Sequence, residues 1–180
     1  MQILPNSMST SISRILFKLI GEKGKGMHQV PQNRLLGEQC FFITVTLKNR
    51  RVLFLDDENA NKVIESLMFF REQGELKLYG YVVMPDHVHF VVKLEAEGSL
   101  PRIIRRFKTH IANAIGQGPI WLRGYWSELI GDIKYLEQKL EYIHQNPVKA
   151  GLVQNATEYR FSSAGEYFCK AYSELVDNYR

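Results

Sequence analysis

Cysteine is scarce: Cys40 and Cys169 are the two in a chain of 180 residues. They form no CxxC pair and no disulfide framework, which argues against a disulfide-stapled scaffold and suits a reducing compartment. Long hydrophobic runs are missing as well. No segment approaches the roughly 20 apolar residues that a membrane helix needs. The stretch SRILFKLI (Ser13–Ile20) is too short and too charged to span, and it lacks the small-residue cleavage site of a signal peptide. Internal repeats and low-complexity tracts are absent. Acidic residues are slightly outnumbered, 19 against 23 basic ones, for a net charge of +4.

What is present reads as one domain preceded by an arm. Apolar residues make up 45% of the chain and charged ones 23%, ordinary values for a globular protein with a real core. Residues 1–36 differ from the rest, with Gly21, Gly24 and Gly26 followed by Pro31. They are expected to form a loose, flexible arm, with residues 37–180 as the single domain.

Cys40–Arg51 is rich in β-branched and aromatic residues and predicts a strand. A helix follows, capped by Asp56, Asp57 or Asn59 and stopped at Gly74, with Val63, Ile64, Leu67, Met68 and Phe70 at helical spacing. Glu75–Glu95 predicts two strands broken at Met84-Pro85-Asp86, because proline cannot serve a central ladder. Ser99 and Pro101 predict the start of a second helix running to about Ile115. Ile120–Ile130 predicts a strand or hairpin. Asp132–Asn146 predicts a third helix, capped by Asp132 and ended by Pro147. A short terminal helix is expected in the tail. The order β-α-β-β-α-β-α predicts an α+β sandwich, an antiparallel sheet with helices packed mainly on one face.

Within YVVMPDHVHFVVKLE, His87 and His89 lie two residues apart on a strand and therefore share one face. Val88, Phe90, Val92 and Leu94 point to the other. Two imidazoles ~7 Å apart along the backbone can converge on one divalent ion. Two histidines with a weak oxygen ligand suit Mg²⁺ or Mn²⁺. A structural zinc site wants four ligands, which the pattern does not supply. Taken alone, the pair reads first as histidines satisfied by hydrogen bonds and only second as metal ligands.

In DIKYLEQKLEYIHQNPVKAG, the residues Ile133, Leu136, Leu140 and Ile143 form the apolar stripe of a helix. Tyr142 lies roughly 140° from the centre of that stripe, and Asn146 is one turn further along its face. Lys139 is on the same side and Tyr135 two turns back. A tyrosine in that position is free to act as a covalent nucleophile, provided its phenol, which ionises near pH 10, is assisted. An ordinary surface tyrosine is the plain alternative. PRIIRRFKTH (Pro101–His110) concentrates Arg102, Arg105, Arg106 and Lys108 on one helix, which points to a polyanion or to a solvated face.

Together, MPDHVHFVV and, about 50 residues later, YIHQNPVKAGLV resemble the REP-associated tyrosine transposases, bacterial relatives of the single-tyrosine HUH transposases. The resemblance extends through RIIRRFKTHIA, RGYW and EYRFSSAGEY, covering residues 38–168. It implies a ferredoxin-like fold and a metal site built from His87 and His89, completed by Asn146, with His144 or Gln145 as substitutes. It implies Tyr142 as the nucleophile and Mg²⁺ or Mn²⁺ as the cofactor. The implied chemistry is cleavage and rejoining of single-stranded DNA at hairpins of repetitive extragenic palindromes, through a 5′-phosphotyrosine, in the bacterial cytoplasm. Arg102, Arg105, Arg106, Lys108, Arg123 and Lys149 would then contact DNA, with Trp121, Tyr125 and Trp126 available to stack on unpaired bases.

Two features depart from that family: the extra 36 residues at the start, and Ser127 where relatives often carry a histidine after the Arg-Gly pair. Whether the chain works as monomer or homodimer is left open by the sequence. A non-catalytic hairpin-binding module on the same fold is the alternative expectation; a small metal hydrolase is a weaker one.

Overall fold

The computed structural model describes residues 39–95, 99–165, 176, 177 and 179. The expected N-terminal arm and most of the expected terminal helix lie outside the described residues. Four strands form one antiparallel sheet: β1 Cys40–Thr46, β2 Leu76–Met84, β3 His87–Leu94 and β4 Trp126–Leu129. Among the described residues, three helices connect and cover it: α1 Asp57–Glu72, α2 Leu100–Ile115 and α3 Ile133–Lys149. The strand order is β2-β3-β1-β4. β3 is thus inserted between β1 and β2, and β4 returns beside β1, which is the ferredoxin-like arrangement. Among the described residues, no helix is long and apolar enough to cross a membrane.

Local chemistry explains most boundaries. Asp56 caps α1 by accepting from the Asn59 N–H at 2.9 Å, and Asp132 caps α3 by accepting from Tyr135 at 2.8 Å. Pro101 sits in the first turn of α2, where no N–H is needed. Ser99 occupies the N-cap position of α2, but its side chain makes no cap hydrogen bond. Pro85 and Asp86 form the tight turn between β2 and β3.

Three boundaries differ from the expectation. β1 stops at Thr46, because Asn49 and Arg50 take positive φ and curl the chain into a 3-10 turn. Of Ile120–Ile130, only Trp126–Leu129 is a strand; Trp121 makes a lone bridge to Leu47. α3 does not end at Asn146 but runs through Pro147 to Lys149. Proline removes one bond there, and in the last turn of a helix that loss is local.

α1 and α2 pack on one face of the sheet, against Ile43, Val45, Val83, Val88, Phe90 and Val92. α3 crosses the other face, against Phe42, Val82 and Val91. Gly80 lets it close in: a Cβ there would stand 2.5 Å from the Leu140 side chain. The segment after α3 then pairs with β2, through Val83 N–H to Phe161 O at 2.8 Å and Ser163 N–H to Tyr81 O at 3.0 Å.

Candidate active site

Register assembles the α3 face. β1 pairs with β3 so that Thr44 opposes His89 and Thr46 opposes His87, while β1 and β4 place Trp126 opposite Thr44 and Glu128 opposite Phe42. Directly opposed residues share a face, so His89, Thr44 and Trp126 form one row across three strands.

Both histidines are buried, and each is held by its Nδ1. His87 Nδ1 lies 2.6 Å from Asp86 Oδ1, and Asp86 in turn accepts from Arg50 at 3.1 Å. His89 Nδ1 lies 2.8 Å from Thr44 Oγ1. The two Nε2 atoms face each other at 3.1 Å. A carboxylate only accepts, so His87 carries its proton on Nδ1 and presents the Nε2 lone pair. Thr44 can donate or accept, so His89 can adopt either tautomer. It can donate from Nε2 to His87 or present a second lone pair beside the first.

This arrangement fits a divalent cation. Two adjacent ligands at metal–nitrogen distances of ~2.1 Å stand about 3 Å apart at near-octahedral angles, which matches the 3.1 Å separation here. Each ligand has an anchoring partner on its far nitrogen, the usual support of a metal-binding histidine. Burial above all, with repulsion from Lys139 and from a protonated His87 adding to it, pushes His89 well below the usual histidine range and keeps it neutral, as a ligand must be. Burial opposes ionisation of Asp86, but its hydrogen bond to His87, the His87 charge and Arg50 hold the carboxyl below the ordinary range. Among the described residues, no group of three or more His, Cys, Asp and Glu gathers as a metal site. A third protein ligand would therefore be an amide or a hydroxyl.

α3 presents two stripes. Leu136, Leu140 and Ile143 enter the core, while Tyr135, Lys139, Tyr142 and Asn146 follow one another along an adjacent line. Tyr142 is half-buried, its ring centroid 5.6 Å from that of His89 and 5.8 Å from that of Phe42. Burial raises its phenol pKa, with Lys139 and an Asn146 hydrogen bond opposing the rise. Lys149 Nζ stands 5.4 Å from the centre of the Tyr142 ring. Asn146 is buried one turn on, its Nδ2 donating to the Tyr142 carbonyl at 2.7 Å. Lys139 sits among Phe42, Trp126 and Tyr135, with Nζ 4.9, 5.8 and 4.9 Å from their ring centres, and pairs with Glu128 at 2.9 Å. His144 turns elsewhere, its Nε2 2.9 Å from Ser163 Oγ in a buried contact, and burial lowers its pKa to about 4.

The basic residues divide. Arg102, Arg105, Arg123 and Lys149 are exposed. Arg106 pairs with Glu75 and lies over the Phe70 ring. Lys108 donates to the carbonyls of Leu122 and Gly124 at 2.6 and 2.7 Å. Ser127 pairs with Ile43, on the face opposite the histidines. Trp121 packs into the core with its Nε1 donating to Lys108 O, whereas Trp126 remains 45% exposed.

Asp86 and Thr44 were not singled out by sequence. Asp86 had a signal, adjacency to His87 in a tight turn. Thr44 had none, because only strand register brings it to His89, 45 residues away.

A family model described as "Transposase IS200 like" matches residues 39–146. The REP-associated tyrosine transposase of Escherichia coli (strain K12) is 27% identical over 124 residues, spanning 68% of this chain and 74% of that protein. Among solved structures, a REP-associated tyrosine transposase bound to a REP hairpin superposes with a TM-score of 0.68 at 24% identity. That match covers 84% of this chain and 92% of the other, a likeness of fold.

Proposed function

This chain belongs to the family of IS200-like transposases, and from that premise we propose that it cleaves and rejoins single-stranded DNA at REP-type hairpins through Tyr142. The observation that carries the reading is the pair of His87 and His89 Nε2 atoms facing each other at 3.1 Å, with the Tyr142 ring against His89. The named relatives support a hairpin of the REP type as the substrate.

The Tyr142 hydroxyl oxygen attacks a phosphodiester. A phosphorus–phenol oxygen bond forms, the bond to the 3′ oxygen breaks, and that oxygen leaves as a free 3′-hydroxyl. The phenolic proton is lost to solvent and the leaving oxygen gains one. The product is a 5′-phosphotyrosine, and attack by a 3′-hydroxyl reverses the step without ATP. His87, His89 and the amide oxygen of Asn146 would hold Mg²⁺ or Mn²⁺. That ion, when bound, polarises the scissile phosphate and offsets the charge that develops on it. Lys139 and the Asn146 hydrogen bond favour the ionised form of Tyr142 against the cost of burial, and Lys149 stands over its ring. Arg102, Arg105, Arg123 and Lys149 supply phosphate contacts. Tyr142 and His89 meet within one chain, which supports action in cis.

The test is incubation with a labelled single-stranded hairpin and Mg²⁺ or Mn²⁺, read on a denaturing gel. A protein–DNA adduct is expected, lost with EDTA and lost in Tyr142→Phe while hairpin binding persists. An adduct that survives Tyr142→Phe sinks the assignment of the nucleophile. Binding without any adduct or cleavage favours the non-catalytic module.

A further inference from the structure

The loop between β1 and α1 holds two backbone conformations that L residues rarely adopt. Asn49 and Arg50 stand at φ 57° and 52°. Asparagine visits this left-handed region readily, but for an arginine it is unusual and costs free energy. Strain of this kind persists where the surroundings over-determine it. Here the Pro85–Asp86 turn supplies that hold. Leu47 N–H donates to Asp86 O at 2.8 Å and Phe54 N–H to Pro85 O at 3.1 Å, so the loop is tied on both sides of Arg50 to the turn that leads into His87. Between those ties, Arg50 Nη1 donates to Asp86 Oδ2 at 3.1 Å. Arg51, the next residue, turns away and donates to Gln117 at 2.7 Å.

Asp86 divides its carboxylate between two partners. Oδ1 meets His87 Nδ1 at 2.6 Å, and Oδ2 takes Arg50. A carboxylate held at one oxygen can still turn about its Cβ–Cγ bond, which is a broad torsion. Held at both oxygens, it cannot turn away from the imidazole. The Arg50 side chain is 39% exposed and that of Asp86 20%, so their ion pair adds little to stability. What it supplies is orientation.

We propose that Arg50 is a positioning residue of the site: by pinning the outer oxygen of Asp86 it keeps the inner one on His87 Nδ1, and so fixes the ring with its Nε2 lone pair turned to His89. The left-handed backbone at Arg50 is the cost of bringing the guanidinium to that point. The proposal rests on the reading of His87 and His89 as a ligand pair, but it is tested first on the ring itself, with no metal added. The measurement is ¹H–¹⁵N correlation NMR of the imidazoles of the full chain in mildly alkaline buffer, with the His87 signals assigned by their loss in His87→Gln. The parent is expected to hold His87 as the Nδ1–H tautomer, with the other at or below about 10%. Arg50→Gly removes the guanidinium and relieves the backbone. The second tautomer should then rise severalfold while the melting temperature changes little. Arg51→Ala, on the same loop, should leave the tautomer as in the parent. Mn²⁺ affinity, read by electron paramagnetic resonance, should fall about tenfold in Arg50→Gly and stay unchanged in Arg51→Ala.

A His87 tautomer that is the same in the parent and in Arg50→Gly overturns the proposal, as does a mixture in the parent. A shift that comes with a clear drop in melting temperature, or that Arg51→Ala reproduces, makes the loop merely structural and overturns it too. If the tautomer depends on Arg50 but the parent binds no Mn²⁺, the positioning role stands and the metal reading falls. If Mn²⁺ binds the parent and Arg50→Gly alike, the positioning role falls and the metal reading stands.

Discussion

The two faces of β3 differ by one residue of offset and by everything else. Val88, Phe90 and Val92 enter the apolar layer under α1 and α2. His87 and His89 lie on the other face, with Thr44, Phe42 and Tyr142 around them. Both faces are buried, so burial does not separate structure from chemistry here. The distinction lies in what the buried group is asked to satisfy. The valines and Phe90 need only contact, whereas each imidazole has its outer nitrogen tied down and its inner nitrogen aimed at its neighbour's. His144 makes the same point from the α3 side. It is as buried as His89, but its Nε2 is taken up by Ser163, whose hydroxyl also accepts from the Tyr81 N–H at 2.9 Å and donates to the Tyr81 carbonyl at 3.2 Å. A buried histidine facing a hydroxyl that is already tied to backbone is a rivet; one facing another imidazole is a candidate ligand.

The sharpest way to break the contrast is Phe90→Ala. It should cost about 3–5 kcal/mol in denaturant unfolding while leaving DNA cleavage intact below the melting point. A cleavage loss that exceeds the unfolded fraction would mean the faces are not independent. On the α3 side, His144 should govern acid stability. Its folded pKa of about 4 lies below the unfolded value of 6.5, so the unfolded chain binds the extra proton between those pH values. Stability is therefore full above pH 6.5 and falls on acidification through the window, by up to about 3 kcal/mol from this group. His144→Gln should flatten that part of the urea-derived stability curve; an unchanged slope would remove His144 from it.

Asp86→Asn and Thr44→Val should do the opposite of Phe90→Ala. Each is expected to lower divalent-dependent cleavage by ~10–100-fold, with hairpin binding and melting temperature nearly unchanged and part of the loss recovered at higher Mn²⁺. No recovery, together with a lower melting temperature, would make these groups structural. The last contrast is Gly80→Ala. The new methyl meets the tip of Leu140, so a stability loss of about 1–3 kcal/mol is expected. Because Leu140 and Tyr142 share α3, cleavage should fall further than the unfolded fraction explains. Equal losses would mean α3 adjusts without moving its tyrosine.

Much of this was open to a reader of the sequence. The period-two pattern of Tyr81–Glu95 was enough to put both histidines on one face, and the 3-4-3 spacing in α3 was enough to set Tyr142 and Asn146 off the apolar stripe. The basic stretch of α2 read as one surface, yet the fold splits it. Arg102 and Arg105 face out, while Arg106 serves Glu75 and Lys108 clamps the 122–124 loop. Net charge reports the number of cations, not how many are already committed. Pro147 misled in a different way, since a proline stops a helix only where the lost bond matters.

The sequence by itself determined the order of elements, the shared face of His87 and His89 and the offset of Tyr142, because each depends on the local repeat of a strand or a helix. Only the tertiary structure decided that Thr44 would anchor His89, that Lys139 would settle among Phe42, Trp126 and Tyr135, and that Tyr142 would meet the histidine pair. Those contacts depend on strand register and on how closely α3 approaches the sheet at Gly80. Both are set by the packing of segments far apart in the chain, which no local periodicity encodes.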